Sequence, residues 1–356
     1  MGLSAGTAAI ITAFLLVGFL LAGLLFQPKV TIDAWQVKEG DFPMNSSNEE
    51  KLKFLLNYAI LAPSSHNSQP WKFNVSSDEI KIFSDKTRWL TVADADQREF
   101  YLGFGCALEN LLVAADHFGY RQEVQYFPDP NKTELVATVR LVPGSQSEDP
   151  KLFQAILARQ TNAMLYENRT VAENALQLLE SSGSEKGFEI DLASDAKTKN
   201  KFRDLVVLAD KIQFGNVEYK SELGYWLGQG AQGPTGIQAK FAQFTVLFLD
   251  TGKDQTRKDG DLSNSTSILG FISSSENDKA SQVKAGQLFE RFWLTATALN
   301  ISVQPMSQVL EVTETKAELI GLIPQKGIHI QQAFSLGYAS PEMDRLPRRS
   351  VKEVLI

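Results

Sequence analysis

Ser64, Ser65, Asn67 and Gln69 stand within six positions, between Pro63 and Pro70. An amphipathic run, Leu52 to Leu61, comes before them and a strand-like segment, Trp71 to Val75, comes after. Two prolines stiffen such a junction. Its hydroxyls, amides and backbone N–H groups then suit a flat polar heterocycle. The same letters also describe a Ser/Asn-rich turn that caps a helix.

Three further stretches carry polar chemistry. Arg159 and Thr161 close the run Ala155 to Asn162, a helix end with a basic group and a hydroxyl. A guanidinium takes a phosphate through two parallel hydrogen bonds, and threonine adds a neutral donor. A solvated helix end has the same composition. Pro305, Met306, Ser307 and Gln308 follow the long helix Lys279 to Asn300, and a plain helix exit reads alike. Arg348 and Arg349 sit in a basic C-terminal segment, which also suits a solvated tail.

Other chemistries are set aside by composition. The chain has 356 residues, one cysteine, three histidines and a formal net charge of −7. An acidic chain with no basic block argues against a nucleic-acid surface. Cys106 lies in an apolar helical run and reads as a packed core thiol. His66, His117 and His329 show no ligand spacing, so no metal site is expected.

The elements that must position these residues are read from periodicity and caps. Ala8 to Phe26 is an uncharged run of 19 residues. At a rise of about 1.5 Å per residue a helix of that length nearly spans a bilayer. Basic residues before it and a small-x-small exit are missing, which favours an uncleaved single-pass anchor over a signal peptide. Residues 1–26 are thus expected to place the protein at a membrane, with either side open, and 27–46 to form a linker. Ser47 to Glu50 reads as a capping box before a helix Glu50 to Leu61. Asp149-Pro150 opens a helix Lys151 to Arg159. Thr170 to Glu173 repeats a capping box. Long helices are expected at Gly103 to Phe118 and Lys279 to Asn300, each with small residues that permit close helix contact. Strands are expected at Lys72–Val75, Ile80–Phe83, Val136–Val142, Phe188–Ala193, Thr245–Leu249 and Ile328–Leu336. This mixture indicates an α+β fold. Gly224 to Gly236 lacks periodicity and reads as a lid or insertion. Its Gly228-x-Gly230-x-x-Gly233 matches a dinucleotide fingerprint in letters only, since no apolar strand precedes it.

The order P-S-S-x-N-S-Q-P-W resembles the flavin loop of the nitroreductase superfamily, which meets the FMN ring across a subunit interface. Arg159 and Thr161 resemble that family's R-x-S/T phosphate element, although Ala163 stands where a cation is usual. Pro305 to Gln308 match the stretch beside the redox edge of the flavin. Ser335 to Ala339 and Arg345 to Val354 resemble the terminal strand and basic tail, with Arg348 and Arg349 at the cationic positions. Thr87 to Leu90, Asp94, Arg98-Glu99 and Gly105 to Leu108 resemble the Acg-type subgroup, in which two degenerate nitroreductase halves share one chain. Asp96 matches its proline position only loosely.

The resemblance implies a nitroreductase-like α+β fold, with half one at 47–148 and half two at 149–356, fused as a pseudo-dimer and preceded by one transmembrane helix. It implies one FMN at their junction. Pro63, Ser64, Ser65, Asn67 and Gln69 would meet its ring side, Pro305, Met306, Ser307 and Gln308 its reactive edge, and Arg159, Thr161, Arg348 and Arg349 its phosphate. No catalytic side chain is implied, because the flavin carries the hydride. NAD(P)H would be the donor and a small electron-poor molecule the acceptor. A monomer is expected. Two alternatives stay open: a flavin-binding or flavin-storing protein with little turnover, and a remnant without flavin.

Overall fold

The computed structural model describes residues 18, 32–146, 149–183, 185–322, 329–340 and 345–356. Two four-stranded antiparallel sheets organise the chain. The first contains β1 (Trp71–Val75), β2 (Glu79–Ser84), β3 (Tyr120–Tyr126) and β4 (Leu135–Pro143) in the order β1-β2-β4-β3. The second contains β5 (Phe188–Ala193), β6 (Ile268–Ser274), β7 (Ser302–Pro305) and β8 (His329–Gly337) in the order β5-β6-β8-β7.

The likeness goes beyond strand order. In each sheet a 20-residue helix joins the second strand to the third: α2 (Arg98–His117) and, further on, α9 (Lys279–Ala298). Each sheet also carries a bulge at the same place. Ile82 pairs Ala137 and Phe83 pairs Leu135, so Val136 is the extra residue of β4. Ile272 pairs Gln332 and Ser273 pairs Ile330, so Gln331 is the extra residue of β8. A bulge re-aims the side chains around it.

The two central helices pack on each other. α2 is buried on nearly every side, as a helix apolar all round must be. Gly105 and Gly286 mark the crossing. A Cβ on Gly286 would lie 2.1 Å from the Leu102 carbonyl oxygen, so only glycine admits this approach. The expected contact between small residues is therefore a backbone-to-backbone crossing.

The halves differ in one large respect. Residues 76–78 join β1 to β2, whereas residues 194–267 join β5 to β6. That insertion folds as α5 (Ala196–Gly215), α6 (Val217–Gly228), α7 (Gly236–Phe248) and α8 (Gly252–Ser265). The remaining helices are α1 (Asn48–Ala59), α3 (Lys151–Ala158), α4 (Glu173–Ser181), α10 (Gln308–Glu311), α11 (Thr313–Ile320) and α12 (Val351–Val354). Ser47 caps α1 by accepting from the Glu50 N–H. Ala172 precedes α4 without a side-chain cap, so the second expected capping box is not formed.

Several expectations are corrected. The expected strand Thr245–Leu249 is the end of helix α7 and the residue after it. Much of the expected lid, Gly224 to Gly228, continues α6; the rest turns through Gly230 and Gly233, both with positive φ. Residues 33–42 form two short 3-10 helices against the first half, with Trp35 and Phe42 packed on the core, rather than a free linker. Apart from Gly18, the expected anchor at residues 1–26 lies outside the described residues. Among the described residues no helix is long and apolar enough to cross a membrane. The membrane placement is therefore withdrawn.

The C-terminus returns to the first half. Leu355 bridges Phe73 in parallel, and the Ile356 N–H donates to the Phe73 carbonyl at 2.8 Å. This return places Arg348 and Arg349 beside the loop that precedes β1.

Candidate functional site

Backbone strain singles out the 62–70 loop. His66, Asn67 and Gln69 adopt φ of 48°, 52° and 50°. A left-handed non-glycine residue costs on the order of 1 kcal/mol or more, so surrounding bonds must hold three of them. Ser64 Oγ accepts from the Gln69 N–H at 2.8 Å. Gln69 Nε2 donates to the Asn67 carbonyl, and Gln69 Oε1 accepts from the Arg349 N–H at 2.7 Å. Asn67 Nδ2 donates to the carbonyls of Ala231 and Pro347 at 2.7 and 2.9 Å. Asn67 Oδ1 accepts from Arg348 at 2.9 Å. The loop is tied at once to the insertion and to the C-terminal return.

Beside this loop opens a cavity of about 750 Å³ between the two halves. That volume lies within the usual range for cofactor sites, about 300–1,000 Å³. Nine of the expected residues line it: Pro63, Ser64, Ser65, Asn67, Thr161, Pro305, Ser307, Gln308 and Arg348. Thr161 is carried there by a parallel bridge to Val303 of β7.

Four expected residues do not line the cavity. Gln69 is fully buried and holds the loop. Met306 is buried in the second hydrophobic cluster. Arg349 donates to the Gln69 and Glu353 carbonyls, which ties the tail to the loop. Arg159 is buried against Glu290, with Nε and Oε1 3.1 Å apart, donates to the Leu61 carbonyl at 2.7 Å, and lies over the Trp293 ring. Its ion pair lacks hydrogen-bond geometry, so it is a charge contact rather than a clasp. Asn67 borders the cavity, yet its amide is committed to protein partners, so it shapes the loop more than it offers donors.

Among the described residues two cations border the cavity, Lys258 on the insertion and Arg348 beside the loop. The Arg348 side chain is 3% exposed. Nη1 and Nη2 bond Asn67 and Leu61, while Nε has no partner. Burial, and then Arg159 nearby, pull its pKa down to about 9. Arg345 caps the end of α3 by donating to the carbonyls of Leu157 and Arg159, and burial and Arg159 lower its pKa as well. Glu290 sits among these arginines, and its own pKa is pushed up to about 7 by burial. Arg159 and Arg348 act on Glu290, and Arg345 acts on Arg348, so cations crowd this end of the cavity. An anion at the free Arg348 Nε would relieve that crowding.

The opposite wall was not foreseen from the sequence. The insertion supplies Asp210, Gln213, Phe214, Tyr219, Gln255 and Asp259 to the cavity, and His66 joins them from the loop. Burial lowers the His66 pKa, so its imidazole is neutral at pH 7. Gln304 and Gln332 also line the cavity, and Gln304 Oε1 has no partner. No sequence motif joins these positions; helices distant in sequence bring them together.

The motif Asp94, Arg98-Glu99 is a brace. Asp94 accepts from the N–H groups of Glu99 and Phe100 at 2.9 and 2.7 Å and so caps α2. Arg98 donates to the carbonyl of Gln331, the bulged residue of β8. A second cavity, about 700 Å³, opens between α5 and α8 on the far side of the insertion. No expected site residue reaches it.

No family model matches the chain. A Mycobacterium tuberculosis protein named "Putative NAD(P)H nitroreductase Rv3131" is 26% identical over 331 residues, covering 89% of this chain and 95% of that protein. "Putative NAD(P)H nitroreductase acg" of the same organism is 25% identical over 319 residues, covering 85% and 94%. A solved nitroreductase with bound FMN from Desulfitobacterium hafniense aligns with TM-score 0.38 and 11% identity, covering 57% of this chain and 95% of that one. Over most of its length the chain is similar to proteins named putative NAD(P)H nitroreductases.

Proposed function

We propose that the chain is an FMN-dependent oxidoreductase that passes electrons from NAD(P)H to a quinone, a nitroaromatic or another electron-poor acceptor. The observation that carries this reading is the cavity at the junction of the halves, lined by Arg348, whose buried Nε has no partner, by Thr161 and by the strained 63–67 loop. Bound flavin would supply hydride chemistry there. Arg348 and Thr161 would hold the phosphate. Ser64, Ser65 and Pro63 would border the ring or ribityl chain. Pro305, Ser307 and Gln308 would flank the reactive edge. Gln69 and Arg349 act from behind by fixing the loop and the tail, and Arg159 is held on Leu61 and Glu290.

The repeated strand order, central helix and bulge support a duplicated chain that carries both halves of one site. Such a chain has no need of a second copy, and light scattering should report a monomer. The names of the mycobacterial relatives agree with an NAD(P)H donor.

A second reading, flavin binding with little turnover, draws support from the insertion, which closes one wall of the cavity. Ala163 in place of a cation points the same way. The visible spectrum of the purified chain tests both. A yellow protein bleached by NADH or NADPH without oxygen supports the oxidoreductase. A yellow protein that neither donor bleaches supports the storage reading. A colourless chain that takes up no added FMN would sink both.

A further inference from the structure

Two acids that play no part in holding the flavin meet on the cavity wall made by the insertion. Asp210 of α5 and Asp259 of α8 both line the cavity, and their side chains hydrogen-bond to each other. Asp210 is 2% exposed, and its Oδ2 has no N–H or O–H donor. Gln255 Nε2 donates to Asp259 Oδ2 at 3.0 Å. Gln308, the first residue of α10, reaches Asp210. A carboxyl–carboxyl hydrogen bond needs a proton between the oxygens, and two carboxylates in contact in a buried place resist carrying charge together, so at rest they keep a proton. The pair therefore holds one proton.

The surroundings keep that proton in place at neutral pH. Burial, and then Asp259, raise Asp210 to about 8, and burial raises Asp259. Lys258 is the cation that favours ionisation of Asp259. Tyr219 of α6 lies near this pair and near a second acid pair, Glu311 with Glu99, and burial pushes its phenol well above its usual value, so it stays neutral. That second pair is answered by Arg98 and by Gln213, which donates to Glu311. The Asp210–Asp259 pair has no guanidinium among the groups that set its titration.

We propose that the Asp210–Asp259 pair donates the proton that completes reduction of an acceptor bound in this cavity. The proposal rests on the oxidoreductase reading. With a quinone as acceptor, the quinone takes a hydride from the reduced flavin and becomes the hydroquinone monoanion. The O–H bond of the acid pair then breaks, and its proton forms the second hydroquinone O–H. The pair is left as a dianion and regains a proton from solvent through the cavity mouth. The flavin is oxidised, the quinone is reduced, and one solvent proton is consumed.

The full chain loaded with FMN tests this with two readouts. The first is infrared titration. A protonated carboxyl band present at pH 7 and lost in Asp210→Asn is expected; its absence from the wild-type chain would overturn the shared proton, whatever the flavin does. The second is rapid mixing of the reduced protein with benzoquinone between pH 5 and 9. A general acid contributes roughly 100-fold or more. The acceptor step of Asp210→Asn and of Asp259→Asn should fall by about that factor relative to each variant's own flavin-reduction step. Asp210→Glu should recover part of it. In the wild type the acceptor step should slow as the pair ionises, and in the Asn variants this pH dependence should vanish. If the protein binds and reduces flavin but both Asn variants keep the wild-type ratio and pH profile, the proton donor is elsewhere and the oxidoreductase reading survives. If it binds no flavin, that reading fails and takes the proposal with it.

Discussion

Gly105 and Gly286 face each other across the junction of the two halves. A Cβ on Gly105 would sit 2.0 Å from the Val283 carbonyl oxygen, and one on Gly286 2.1 Å from that of Leu102. The obstacles are backbone atoms of the opposing helix, which cannot step aside as a flexible side chain can. The two sheets and the cavity between them are therefore spaced by this pair of glycines.

Replacing either glycine by alanine should push α2 and α9 apart. Overpacking usually costs about 1–3 kcal/mol, and contact with backbone belongs at or above the upper end. Chemical denaturation should show Gly105→Ala and Gly286→Ala destabilised by at least that much. The double variant should lose less than the sum, because one separation relieves both clashes. Full additivity would mean that the helices do not move as units.

Arg348 and Arg159 should separate in their effects on flavin affinity. Arg348 borders the cavity with a free Nε, whereas Arg159 is spent on Glu290, Leu61 and Trp293. Loss of a charge-assisted phosphate contact costs on the order of 1.5–3 kcal/mol, roughly tenfold to a hundredfold in affinity. Arg348→Ala should weaken FMN by that factor and riboflavin far less. Arg159→Ala should chiefly lower thermal stability, because it removes the partner of a buried acid. Equal loss of FMN and riboflavin in Arg348→Ala would remove the phosphate from this end of the cavity.

What the sequence could and could not show follows from where each signal lies. The 62–71 loop was legible because its prolines, serines and amides are contiguous. The two central helices were legible because their small and apolar residues recur over many turns. Arg159 and Arg348 could not be told apart from letters, since the difference between them is which one the fold turns toward the cavity. Thr245 to Leu249 reads as a strand by residue type, yet it closes a helix that exposes Phe241 and Phe248, where tertiary context overrides propensity. Asp210 and Asp259 lie on separate helices of the insertion, so no motif spacing could join them.

The insertion is latched to the first half by Glu222. Its carboxylate accepts from the N–H groups of Val92 and Ala93, the latter at 2.8 Å. Hydrogen bonds to a charged acceptor are worth about 1.5–3 kcal/mol. Glu222→Ala should loosen α6 without unfolding the sheets. Hydrogen exchange should speed up in residues 88–97 and 217–228 and stay unchanged in β4 and β8. Release of bound flavin should quicken in parallel. Unchanged exchange at Val92 and Ala93 would show that the latch is not holding.

The acid pair makes a prediction about stability that needs no ligand. Asp210 has a folded-state pKa of about 8 against an ordinary value of 3.8. Between those values the folded chain binds a proton that the unfolded chain has already released, so stability must fall as pH rises through this window. The contribution is fully present below about pH 4 and is lost once pH has passed about 8. Asparagine cannot ionise and removes this dependence. The melting temperature of Asp210→Asn relative to the wild type should therefore climb between pH 4 and pH 8 and level off above. Wild-type and variant curves that stay parallel across that range would mean that folding binds no extra proton at the Asp210–Asp259 pair, and the shared proton would be ruled out.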